Sequence, residues 1–177
     1  MPPFRSMLRL KDYIVEFNKL RSGNNTFAFV LNTEFIHSVD DQSNIEAEVF
    51  AHLDLFKTDT MYELKFKLSG KIKTTCDTCL DEFELPVDSH FNLILKISET
   101  EQYDDDEIVY ITPQTIDYDL RQYLYECLVL ALPIKKICSL AGKICNEEVV
   151  SKLNDIQTNK DEDGDDPRWD KLKGIFK

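Results

Sequence analysis

Over the first hundred residues, apolar positions recur at every second place. Tyr13, Val15 and Phe17 alternate with Asp12, Ile14 and Glu16, and Phe27, Phe29 and Leu31 form a second set beyond the turn-like Ser22-Gly23-Asn24-Asn25. Successive side chains of an extended strand point to opposite faces, so this pattern predicts two strands, which the turn can join as a hairpin. Thr33 to Ser38 fits either a short helix or irregular chain, and Asp40 to Asn44 reads as a loop. The clearest strand follows. Ile45, Ala47, Val49, Ala51, Leu53 and Leu55 share one face, while Glu46, Glu48, His52 and Asp54 share the other. After a turn at Lys57 to Thr60, Leu64, Phe66, Leu68 and Ile72 alternate with lysines in a strand that runs directly into Cys76. A further alternation, Phe91, Leu93, Leu95 and Ile97, follows Cys79, so the sequence Cys-Asp-Thr-Cys lies in a connection between two strands.

Beyond an acidic loop, Ser98 to Glu107, and a short strand at Ile108 to Ile111, the period changes. Ile116, Leu120, Leu124, Cys127, Leu128 and Ala131 follow helical spacing, with Asp117 or Thr115 as N-cap and Pro133 closing the far end. The fold class expected is α+β: a mainly antiparallel sheet from residues 11 to 111, covered by one long packed helix over 117–131. The domain division expected is a single α+β domain over 1–157, an acidic flexible linker over 158–166 and a short C-terminal docking element over 167–177.

Composition narrows the function. With 42% hydrophobic and 11% aromatic residues among 177, the chain can bury a sizeable core. Its formal net charge of −12 opposes non-specific binding to nucleic acid, which is driven by lysine and arginine neutralising phosphates. The N-terminal run is too polar for a secretory signal and no stretch is long and apolar enough to span a membrane, so a cytoplasmic location is expected. In a reducing compartment, five cysteines are better explained by metal ligation plus one core thiol than by disulfides.

Cys76 and Cys79 are joined downstream by Cys138 and Cys145. Four thiolates can enclose zinc tetrahedrally, and two pairs from distant segments would pin the strand connection to the loop after the helix. The first pair has the spacing of a zinc knuckle; the second, with six intervening residues, is looser than usual. Two other readings stay open: four bare thiols in turns, or a redox pair. The redox pair would need a helix N-terminus after a strand to lower its thiol pKa. Cys127 lies on the apolar face of the predicted helix and reads as an inert core thiol.

Lys65, Lys67, Lys71 and Lys73 share one strand face. They form either a basic stripe for phosphates or an ordinary solvent face paired with Glu46 and Glu48 on the neighbouring strand. His37, His52 and His90 are scattered, no nucleophile or metalloprotease motif occurs, and five glycines supply no phosphate-cradling loop. The carboxylates cluster in solvated runs, and nothing argues for an enzyme. In the C-terminal segment, Asp166 can cap a helix with Pro167 at its first position, and Trp169, Leu172 and Phe176 then form one apolar stripe. Arg168, Lys171, Lys173 and Lys177 make this segment basic, unlike the rest of the chain. So short a helix orders only against a surface, and docking on a partner is expected; folding back on its own domain and simple fraying are the alternatives.

Several of these pieces occur in a fixed order: Gly70 to Leu80 with its Cys-x-x-Cys-Leu, the helix ending in Leu132-Pro133, Cys145, and the terminal DPRWDKLKGIFK. Together they resemble the YceD family, the large ribosomal RNA subunit accumulation proteins of bacteria. The resemblance covers most of the chain. It implies a bacterial accessory factor, not a catalyst, needed for synthesis, processing or stability of the large-subunit ribosomal RNA. By position, Cys76 and Cys79 carry over to the family's cysteine pair, whereas relatives vary at the second pair and can have a histidine near Cys138. With the acidic charge, the expected partner is a basic ribosomal protein or rRNA-processing factor of the large subunit. Any rRNA contact is weak and confined to the lysine stripe or the tail. A zinc-stabilised RNA-binding module is the rival class, followed by a redox protein.

Overall fold

A computed structural model of the chain describes residues 13–99 and 108–158. Five strands form the main sheet, in the order β2-β3-β4-β5-β6: β2 (Gly23–Asn32), β3 (Glu46–Lys57), β4 (Met61–Thr75), β5 (Glu82–Ile97) and β6 (Ile108–Ile111). The first four pair antiparallel, each with its neighbour in the chain. The α+β class and mainly antiparallel sheet expected from the alternation are therefore present. β6 departs from it by pairing parallel to β5, with Ile94 aligned on Ile108 and Ile97 on Ile111.

Alternation sets the core. Val49, Ala51, Leu53 and Leu55 of β3 are buried on the face shared with Leu64, Phe66, Leu68 and Ile72 of β4 and Leu93 and Leu95 of β5. Burial of each such aliphatic or aromatic side chain contributes about 1.5–3 kcal/mol. Three α-helices lie among the described residues: α1 (Thr33–Val39), α2 (Arg121–Leu130) and α3 (Glu147–Thr158). Asn32 caps α1 by accepting a 2.8 Å hydrogen bond from the Phe35 amide, which decides the Thr33 to Ser38 ambiguity for helix. Leu124, Cys127 and Leu128 of α2 close the main core, and Cys127 is the inert buried thiol expected, pushed up to about 12 by burial.

Several expectations are corrected. The helix predicted over 117–131 begins only at Arg121, because Asp117–Asp119 form a strand, β7, paired antiparallel with β1 (Ile14–Glu16) in a separate two-stranded sheet. Backbone groups engaged in that ladder are not free for a helix. The Asp119 carboxylate, rather than Asp117 or Thr115, accepts from the Arg121 amide at 3.0 Å where α2 starts. The same pairing removes the predicted N-terminal hairpin. β1 turns through a 3₁₀ segment, Phe17–Lys19, and pairs with β7 instead of β2; the Phe17 amide donates to the Ile116 carbonyl at 2.9 Å. The segment after α2, expected as loop, holds a 3₁₀ turn (Cys138–Ala141) and α3, which at 12 residues is longer than α2. The expectation of one long packed helix thus gives way to three shorter ones.

Candidate metal centre

β4 and β5 are a hairpin of unusually long strands, and the turn at its tip carries Cys76 and Cys79. The turn is closed by two backbone bonds: the Cys76 amide to the Asp81 carbonyl (2.9 Å) and the Leu80 amide to the Cys76 carbonyl (3.0 Å). Leu80 completes the turn in the left-handed region, φ 64°, where a side chain costs about 1–2 kcal/mol. That side chain is 73% exposed.

The second pair reaches this tip from beyond α2. Cys138 opens the 3₁₀ turn, which ends on Gly142 at φ 67°, and Cys145 follows just ahead of α3. Asp77 ties the two segments together. Its amide donates to the Lys136 carbonyl at 2.7 Å, and its carboxylate accepts from the Lys136 amide at 2.6 Å. Sequence reasoning missed Asp77, whose only signal is a short polar residue directly after the first cysteine. Beneath the cysteines, Phe83 and Leu85 of β5 make a second small core, with Leu132, Ile137 and Val149 packed at its edge.

The four sulfurs converge. Cys76 and Cys145 are 3.8 Å apart, Cys79 and Cys138 are 3.6 Å apart, and all four lie within 4.8 Å of one another. Four ligands at the zinc–sulfur distance of about 2.3 Å in a tetrahedron stand about 3.8 Å apart. The cluster therefore fits a tetrahedral thiolate-binding metal, and its spacings are far from the roughly 2.05 Å of a disulfide. Cys76, Cys79 and Cys138 are buried and Cys145 is half-buried.

The thiols differ electrostatically. Cys76 is held down at about 6, chiefly by the Cys79 backbone amide and then by that of Thr78, 3.4 Å from its sulfur. Burial pushes Cys138 up to about 12 and raises Cys145 in the same direction. Amides aimed at one sulfur with desolvation of its neighbours suit a group of thiolates neutralised by a cation. A four-protein-ligand shell leaves no position for substrate or water, so the arrangement is structural in kind. It is also unlike a dithiol redox site. The pair sits in a hairpin turn, and the short sulfur contacts run between the two pairs, Cys76 to Cys145 and Cys79 to Cys138.

The lysine stripe is on the open face of the sheet, opposite the core. Lys73 lies between Glu46 (3.5 Å) and Glu82 (3.2 Å), Lys71 bonds Glu84 (2.8 Å), and Lys65 reaches Glu63 (3.7 Å). Lys67 stands in register between His52 and His90. Glu46 is thus the partner the sequence suggests; Glu48 faces Lys71 in the ladder, but the ammonium turns to Glu84. Arg168, Trp169, Lys171 and Lys173 lie outside the described residues, as does most of the acidic loop, at 100–107. No described helix is long and apolar enough to cross a membrane.

The family model described as "Large ribosomal RNA subunit accumulation protein YceD" matches residues 64–176. The chain belongs to the YceD family. All four clustered cysteines and all four stripe lysines of this YceD chain fall inside the matched segment, while β1, β2 and β3 precede it. No curated protein and no solved structure matches the chain.

Proposed function

We propose that this YceD-family protein is a non-enzymatic accessory factor in the accumulation of large-subunit ribosomal RNA, acting in the bacterial cytoplasm through a basic protein partner. Family membership over residues 64–176 carries the ribosomal part of the reading. The protein partner is favoured by charge. At −12 the chain repels a phosphate backbone, and Lys65, Lys71 and Lys73 already have carboxylates beside them. A ribosomal protein or processing factor rich in lysine and arginine is attracted by the same field, which raises its association rate. Zinc at Cys76, Cys79, Cys138 and Cys145 has a structural role in this reading, fastening the hairpin tip to the segment before α3.

The test is removal of the protein from its host. Mature large-subunit RNA should fall relative to small-subunit RNA, and the purified protein should leave rRNA uncut. An unchanged ratio during slow growth in the cold would refute the ribosomal role. Tight binding to purified rRNA with a steep loss of affinity on adding salt would replace the protein partner by an RNA-binding module, because the salt slope counts neutralised phosphates.

A further inference from the structure

α3 presents Val149, Leu153 and Ile156 at i, i+4 and i+7, which is one helix face. Val149 is half-buried against the small core beneath the cysteines, but Leu153 and Ile156, one and two turns on, are 41% and 57% exposed. Isolated helices shorter than about 12–15 residues are marginal in water, so α3 depends on a covered face, and half of that face has no full cover among the described residues.

The chain beyond Thr158 supplies a matching stripe. Read backwards along α3, the apolar positions Ile156, Leu153 and Val149 are separated by three and then four residues; read forwards, Trp169, Leu172 and Phe176 have the same steps. Antiparallel helices would set these three pairs at equal heights, because three and four residues rise about 4.5 and 6 Å. Residues 159–166 can span up to roughly 26–29 Å when extended, more than the roughly 18 Å length of α3, so the chain can turn back along it. The charges also agree. Residues 167–177 hold Arg168, Lys171, Lys173 and Lys177 against Asp170, whereas α3 holds Glu147, Glu148 and Asp155 against Lys152. The antiparallel alignment brings Lys177 to the end of α3 that carries Glu147 and Glu148. The family match runs to residue 176 and so includes helix and tail together.

We infer that residues 167–177 of the same chain dock on the Leu153–Ile156 face of α3. The tail then completes the cysteine lobe, and its four cations are turned toward the chain's own carboxylates instead of toward a partner.

Trp169 is the only tryptophan in the sequence, so intrinsic fluorescence of the full-length, reduced protein reads the tail directly. Its emission should lie to the blue of free N-acetyltryptophanamide, be quenched several-fold less by acrylamide, and not change on dilution. Leu153→Asp with Ile156→Asp should move the emission to the red and raise quenching to the free value, and Phe176→Asp should do the same from the other side. The α3 and tail variants combined should add nothing further. Free-tryptophan emission in the wild-type protein overturns the inference, including the case where shielding develops only on adding purified large ribosomal subunits. Shielding that survives the α3 variants, or that disappears on dilution, overturns it in favour of another surface or a second copy. If the α3 variants lose cooperative unfolding, Phe176→Asp decides alone, and unchanged emission there refutes the docking.

Discussion

Replacing Gly70 by alanine should destabilise the protein by about 3 kcal/mol. Gly70 lies opposite Val49 in the β3–β4 ladder, with φ at +156°. A Cβ built there would be 2.3 Å from the Glu48 carbonyl oxygen and 2.7 Å from the Val49 Cα, both backbone atoms that cannot rotate away. Ordinary carbon contacts need about 3.5 Å, so one strand must move by about 1 Å. That shift disturbs the ladder bonds on either side, each contributing about 1 kcal/mol net. The backbone conformation, nearly exclusive to glycine, adds about 1–3 kcal/mol, offset by less than about 1 kcal/mol from the stiffer unfolded chain. For a chain of this size the melting temperature should fall by roughly 6–12 °C. Gly23→Ala is the control: φ is also positive there (+88°), but nothing lies within 4 Å of the added carbon, so only the conformational cost applies. Urea denaturation followed by circular dichroism measures both. A Gly70→Ala loss no larger than that of Gly23→Ala would refute the steric argument.

Protein prepared under reducing conditions should carry about one zinc per chain by elemental analysis, with Cys76→Ser and Cys145→Ser each abolishing it and Cys127→Ser leaving it intact. Metal-free protein would make the four cysteines bare thiols. Leu80→Gly should stabilise by about 0.5–1 kcal/mol in thermal melts, since relief at φ 64° outweighs the added freedom of the unfolded chain; a loss would mean that the exposed side chain has a contact of its own. Asp119→Asn should matter only above acid pH. The Arg121 guanidinium holds the Asp119 carboxyl below its usual range, so its contribution is full above the unfolded pKa of about 3.9 and is lost as pH falls through the lower folded value. Because the pair is partly exposed, the wild-type advantage should stay under about 1 kcal/mol and close below pH ~4. An advantage that persists there would mean that the carboxylate's charge is not its source.

The long strands were legible because their two faces differ so sharply. Every core position of β3 and β4 alternates with a charged, polar or aromatic one, so the period alone gives register and buried face. The cysteine cluster was readable because two thiol pairs from separate segments, one of them Cys-x-x-Cys, are a common ligand pattern for a thiolate-bound metal. Other elements depend on long-range partners that no local pattern contains. Asp117-Tyr118-Asp119 precedes a helical stripe without interruption and becomes a strand only because β1, about a hundred residues earlier, offers an edge. β6 has the composition of a strand, but nothing in four apolar residues specifies its parallel direction. α3 escaped because Val149 and Val150 favour strands intrinsically and half of its stripe has no described cover.

The cysteines of the centre are 59 and 69 residues apart across their short contacts. A metal held there would close a loop containing β5, β6, β7 and α2, and by analogy with a disulfide of that span would remove about 4 kcal/mol of unfolded-chain entropy. The hairpin tip is local in sequence, whereas the second pair is brought to it by the chain that runs through β5, β6, β7 and α2. Binding a metal there would therefore be coupled to the tertiary structure of that whole span, and losing it would free the tip from the turn at Cys138.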